Sequence, residues 1–391
     1  MEHSAPIVHG LSVRNTAVVS IAELLSPAPQ PHPKKPIPLV ALFARCGHTG
    51  SRREGRLGGG DGARPPGSGR GVRQWLARAL VALASIVAIP SFAQPYPTKP
   101  VRLVVPFAPG GGTDIMARSL AQKLSESLRQ PVVVDNRAGG GGTIGVETVV
   151  RATPDGYTLI VVSGSYATNA AVYKLPFDPV NDITPVALIG ETGNMIVLHP
   201  SVPVRSIAEL IAADKAAPGK LNYGSTGTGG FTHLVTELFN QLAGTRLTHV
   251  PYKGTGPALN DLLGGQIQIV FGSLPSTIPL VKQNRLRGIG VTTPKRNPAI
   301  PDIPAIAEVV PGYEAVLWYG VWGPKGMPKN LVSLWNAEVR KALKLPDMRE
   351  RLANEGLEPA DSPPERFSEV VRRDVAKWKQ VVERGKITVG S

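Results

Sequence analysis

Two glycine-rich stretches each follow a short β-branched run: 106–114 (PFAPGGGTD) after 101–105, and 135–145 (DNRAGGGGTIG) after 131–134. A strand that runs through glycines into a helix leaves bare backbone N–H groups at the helix start. Those groups and the helix dipole together favour an anion. Gly110, Gly111 and Gly112 in the first stretch, and Gly140, Gly141 and Gly142 in the second, let the backbone approach a ligand without a Cβ in the way. A third run, 158–162 (TLIVV), ends in Ser163-Gly-Ser165, and a fourth, 221–223, leads into 224–230 (GSTGTGG), where Ser225, Thr226 and Thr228 offer hydroxyl donors. A carboxylate taken out of water needs several such donors. The chemistry these residues suit is capture of a small anion.

Other chemistries fit less well. Gly140, Gly142 and Gly145 satisfy the dinucleotide fingerprint literally, but four consecutive glycines do so easily. The strand core 159–162 also stands where the ribose-binding acid is needed. The Gly-Ser-Thr-Gly at 224–227 lacks a nucleophile elbow. His199 and His249 have no partners at metal-ligand spacing, while His233 falls on the first turn of a helix, where it can bond the loop or a ligand. Asp114 reads as a helix cap, since a carboxylate beside an anion would repel it. Arg137 can pair with a bound carboxylate or make a surface ion pair. The expectation is a binding protein with no catalytic residues, no cofactor and no metal.

These loops need elements to position them. The alternation of buried strands and helices (115–128, 143–151, 231–243, 256–263) predicts open α/β sheets, whose ligands sit beyond the carboxyl ends of the strands. A new α/β series begins after 186–198, so two facing lobes with a cleft between them are expected. Strand-like 316–322 and helices 329–343 and 364–383 then return to the first lobe. The chain should cross between lobes near 195–200 and 314–319.

The 391 residues and 42% hydrophobic content suffice for two such units. Half of the +14 net charge lies in residues 1–93, so the body is only moderately basic and a nucleic-acid partner is not expected. The one cysteine, Cys46, also lies there, which excludes disulfides from the body. Basic 70–73, apolar 75–90 and Ser91-Phe-Ala93 have the order of a cleavable export signal, with cleavage between Ala93 and Gln94. Its apolar core is shorter than the ~20 residues of a membrane span. Residues 1–71, rich in Pro, Gly and Arg, are expected to be disordered or to extend beyond the true start, leaving 72–93 as the signal.

The ordered set of motifs resembles the extracytoplasmic solute receptors of tripartite tricarboxylate transporters, the Bug-type receptors, over 95 to about 385. It comprises Tyr96-Pro97, Pro106-Phe107 with Gly110-Gly111 and Asp114, Asn136-Arg137, Asp155-Gly-Tyr-Thr158, Leu175-Pro-Phe-Asp-Pro179, 223–229 (YGSTGTG), His233-Leu234 and Val250-Pro-Tyr-Lys-Gly254. The resemblance implies a type II-like, two-lobed periplasmic binding protein. Each lobe would be an open, mostly parallel sheet, with lobe 1 at 94–196 and 316–391 and lobe 2 at 197–315. It implies a small organic carboxylate held largely by main-chain amides of 107–113, 138–143, 163–169 and 225–229. Phe107, Ala108, Thr113, Thr143, Asn169 and Gly227 thereby join the candidate site. The implied partners are the permease subunits or, alternatively, the periplasmic domain of a sensor kinase, with the receptor itself a monomer in the periplasm. Tyr166 and Gly272 depart from the family pattern, which often has histidine and aspartate there; the glycine implies a ligand without an ammonium group.

Overall fold

The computed structural model describes Trp75 and residues 96–385. The expected leader, its cleavage point and the upstream segment lie outside the described residues. Two sheets organise the chain. The first has six strands: β1 (Val101–Val105), β2 (Val132–Asn136), β3 (Thr158–Ser163), β4 (Ile183–Thr192), β10 (Leu317–Pro324) and β11 (Glu358–Pro359), in the order β11-β4-β10-β3-β1-β2. The second has five: β5 (Asn194–Leu198), β6 (Asn222–Ser225), β7 (Thr248–Pro251), β8 (Ile269–Ser273) and β9 (Arg287–Val291), in the order β7-β6-β8-β5-β9.

The sheets are mixed, not mostly parallel. β1 pairs in parallel with β2 and β3, as its unbroken apolar run predicts. β10, however, enters antiparallel between β3 and β4, and β5 enters antiparallel between β8 and β9. Both are the strands by which the chain arrives from the other sheet. The outward crossing falls at Gly193, because Asn194–Leu198 pairs along its whole length with β8, three residues before the expected boundary. The return crossing runs close to the outward one through Thr292 at the end of β9: Ala315 N–H donates to the Thr292 carbonyl at 2.9 Å, and Thr292 N–H donates to the Asn194 carbonyl at 2.8 Å.

Helix α1 (Gly112–Leu128) packs Met116, Ala117, Leu120 and Leu124 on the first sheet. It begins earlier than expected, with Gly111 as N-cap, and neither Thr113 nor Asp114 caps it. Asp114 instead lies in the first turn and accepts from Gly110 N–H at 3.0 Å. Next come α2 (Thr143–Val150), α3 (Ser165–Val172), α4 (Ile207–Ala216), α5 (Phe231–Ala243), α6 (Thr255–Leu263), α7 (Leu274–Lys282), α8 (Lys329–Lys344) and α9 (Pro346–Asn354). The terminal helix α10 (Pro364–Gly385) packs on the first sheet. Asp374 accepts the Trp318 indole N–H at 2.7 Å, and Phe367 meets the Trp318 ring edge-on at 5.3 Å. Trp378 of the same helix also reaches Phe231 of α5, with ring centroids 5.5 Å apart.

Candidate functional site

Between the sheets, the carboxyl ends of the central strands enclose a small cavity. Phe107, Gly111, Gly112 and Thr113 reach it from the loop after β1, and Ser163 and Ser165 from the end of β3. The second sheet contributes Thr226, Phe231 and Thr232 after β6, Thr255 at the start of α6 and Ser273 at the end of β8. The floor is Asn194, Leu317 and Tyr319, on the two crossing strands. Five helices therefore begin at this cavity: α1, α3, α5, α6 and α7. In none of them does a side chain cap the first turn. Each start presents about half a positive charge. Some first-turn N–H groups are already engaged: Phe231 N–H donates to Ser165 Oγ at 3.2 Å and Leu274 N–H to the Gly193 carbonyl at 3.0 Å, while Pro275 has none to offer.

Among the described residues, no charged side chain lines this cavity. Asp114, the nearest acid in sequence, is turned away to Arg118, Asn136 and Gly110 N–H. Burial pushes its pKa up, but those donors outweigh burial and hold the carboxyl below its ordinary value. Arg137 pairs with Asp135 at 3.0 Å on the surface, the second of the two roles open to it. Tyr166 points into the core and gives its hydroxyl to the Pro179 carbonyl, and Gly272 lies within β8.

The second glycine loop sits elsewhere. β2 is the edge strand, so the loop that follows it falls at the periphery. There Ala108, Gly140, Gly141, Gly227 and Thr228 line an outer opening together with Tyr173, Tyr252 and Lys253. Six further candidates line neither space, and five of them brace the loops. Gly110 N–H is spent on Asp114, Thr143 Oγ1 donates to the Gly140 carbonyl at 2.9 Å, and Asn169 Nδ2 donates to the Gly141 carbonyl at 2.8 Å. Ser225 Oγ accepts from Gly227 N–H at 3.0 Å and lies 2.6 Å from His249 Nε2. His233 Nδ1 accepts from Gly229 N–H at 3.2 Å, and its ring stacks on His249 at 4.0 Å. The sixth, Gly142, with φ +112°, leaves room for the Phe107 ring, which a Cβ would meet at 3.0 Å. Burial lowers the pKa of both histidines; the neighbouring His233 adds to the effect at His249, which falls to about 3.

The lobes touch directly. Ala108 N–H donates to the Lys253 carbonyl at 2.9 Å, and Tyr173 O–H donates to the Thr228 carbonyl at 2.8 Å. With the Phe231–Ser165 bond and that from Asn297 Nδ2 to the Gly356 carbonyl at 2.9 Å, these make four cross-lobe hydrogen bonds among the described residues. The cavity they close has about 20 Å³ for a water to move in, against ~10–15 Å³ for a single water. A whole organic acid enters only when the lobes part.

Sequence reasoning missed Asn194, Phe231, Thr232, Thr255, Ser273, Leu317 and Tyr319. One signal was available: Pro275, two residues after Ser273, marks a helix start.

Two α/β lobes joined by paired crossing strands, with helix starts facing each other across the cleft, define the periplasmic binding protein fold. The chain belongs to the tripartite tricarboxylate transporter family receptors, whose family model matches residues 116–387. The protein BugT of Bordetella pertussis is 35% identical over 300 residues, covering 76% of this chain and 92% of BugT. A solved R. palustris structure with adipate is 39% identical with a TM-score of 0.72, covering 75% of this chain and 99% of that one. MatC from Rhodopseudomonas palustris with bound malate is 31% identical with a TM-score of 0.71, covering 73% and 100%.

Proposed function

We propose that this chain is a periplasmic receptor that captures a small organic carboxylate between its lobes and delivers it to a permease of the tripartite tricarboxylate type. The observation that carries this reading is the convergence of five uncapped helix starts on one cavity without a charged side chain. Such a site attracts an anion through fixed dipoles and main-chain donors, which lose no side-chain entropy on binding. The bound adipate and malate of the two relatives support a carboxylate as the anion.

The first lobe comprises residues 96–192 with 317–385, and the second the residues between. The inner cavity holds the carboxylate. The outer opening, lined by the second glycine loop, is the route by which it enters and leaves. Closure follows from binding because an anion bridging helix starts of both lobes is held better when they approach; a ligand with equal affinity for both states would close nothing. The protein works by this cycle and not by catalysis. Export through the 72–93 leader places it where it meets its ligand.

Thermal melting of the purified protein against mono-, di- and tricarboxylates, amino acids and NAD tests the reading. An acid at 100 times its Kd adds ~2.7 kcal/mol of stability. Stabilisation by one class of carboxylate is expected; stabilisation by NAD and by none of the acids would overturn the proposal.

A further inference from the structure

The floor of the inner cavity carries two polar groups without a partner. Asn194 is fully buried, and its Nδ2 donates to the Phe271 carbonyl at 2.6 Å. That bond fixes the amide: the nitrogen must face the carbonyl, so the atom left over is the oxygen. Asn194 Oδ1 has no hydrogen-bond partner. Tyr319 is 1% exposed, and its hydroxyl has no partner among the described residues at full hydrogen-bond geometry, although burial raises its pKa and Ser273 lies near enough to offset part of that rise. The Ser273 hydroxyl beside it is engaged with Ser276 at 2.9 Å. Buried groups of this kind are ordinarily satisfied. Both belong to crossing strands, at the place where the two lobes meet.

The two groups ask for different things. A phenol can donate to a carboxylate oxygen, and burial holds the Tyr319 phenol protonated. An amide oxygen can only accept, so it needs a donor on the ligand. An ionised carboxylate has none. An ammonium has three, but it would bring a full charge to a wall with no acid, facing the positive ends of five helices. Asp114 is committed elsewhere, and Glu355, whose charge reaches Tyr319, is not part of the wall. A neutral hydroxyl is the donor that fits.

We infer that this receptor selects acids bearing a hydroxyl group, with Asn194 Oδ1 accepting from that hydroxyl and Tyr319 O–H donating to the carboxylate. The inference rests on the carboxylate-receptor reading and sharpens it. Adipate in one relative and malate in another are an unsubstituted and a hydroxylated acid, so family membership alone does not decide the point.

Calorimetric titration of the whole protein with acids differing by one substituent tests it: malate, succinate and aspartate; lactate, propionate and alanine; mandelate and phenylacetate. In whichever set binds, the hydroxy acid is expected to bind at least tenfold more tightly than its parent, ~1.4 kcal/mol, and the amino acid more weakly than either. Asn194→Ala should bring hydroxy acid and parent within about twofold of each other, whereas Tyr319→Phe should weaken both members and leave their ratio intact. Equal or tighter binding of the parent acid by the unaltered protein would overturn the inference. So would a tenfold preference that survives in folded Asn194→Ala. Should that variant fail to fold, the comparison in the unaltered protein decides. If acids bind without preference, only this inference falls; if no acid binds, the receptor reading falls with it.

Discussion

Gly256 is the second residue of α6 and faces the opposite lobe across the mouth of the cleft. A Cβ there would overlap the Pro109 carbonyl oxygen and lie 3.1 Å from the Pro109 carbonyl carbon and 3.2 Å from that of Gly110. All three atoms are backbone, so nothing can swing aside, and Gly256→Ala must push the lobes apart. Within its own lobe the change does no harm: the residue is not among the glycines with positive φ, and alanine is favoured over glycine in a helix by up to ~1 kcal/mol. The closed form loses the nearby Ala108–Lys253 bond and strains those from Tyr173 to Thr228 and from Phe231 to Ser165. One bond lost outright at ~1 kcal/mol and two more weakened by up to as much each reduce closure by ~1–3 kcal/mol, about 5- to 100-fold in ligand affinity. Calorimetric titration with the tightest acid should read that loss, while small-angle scattering shows no compaction on adding ligand and the unliganded melting temperature stays within ~4 °C, the shift of ~1 kcal/mol. Undiminished affinity with full compaction would refute the idea that direct backbone contact limits closure.

Tyr173→Phe removes one cross-lobe bond without adding bulk and should weaken ligand about fivefold, ~1 kcal/mol, in the same titration. Asp374→Ala leaves the buried Trp318 indole N–H unpaired; it should cost ~1–3 kcal/mol in chemical denaturation while ligand affinity stays unchanged. The fold holds His249 neutral down to about pH 3, against an ordinary value of 6.5, through burial and the adjacent His233. The unfolded chain therefore takes up the proton first. Stability is complete above pH ~6.5 and falls as the pH drops towards 3, and melting curves of His249→Gln should fall less steeply over that range.

Elements whose pattern is self-contained were legible in the sequence. The helix Phe231–Ala243 has its expected bounds, and α8, α10 and the β1 strand are close to theirs. Unrecognised elements carry contrary local signals. α7 contains Pro275 and Pro279, β9 alternates glycine with its apolar residues, and α3 is a run of small and polar residues. The site divides along the same line. Glycine loops announce themselves, and the loops after β1, β3 and β6 do reach the cavity. The second loop looks equally suited by composition, but strand order puts β2 at the edge and carries its loop to the outer opening. Asn194 and Tyr319 lie in apolar runs that read as core. Only the meeting of the two lobes turns them into a cavity floor, and no local pattern records that meeting.

A crystal structure with the tightest-binding acid would test the central claim most directly. Its carboxylate oxygens should lie within hydrogen-bond distance of main-chain N–H groups at the starts of α1, α3, α5, α6 or α7, drawn from both lobes. An acid held by lysine or arginine side chains, or bound outside the cleft, would contradict it.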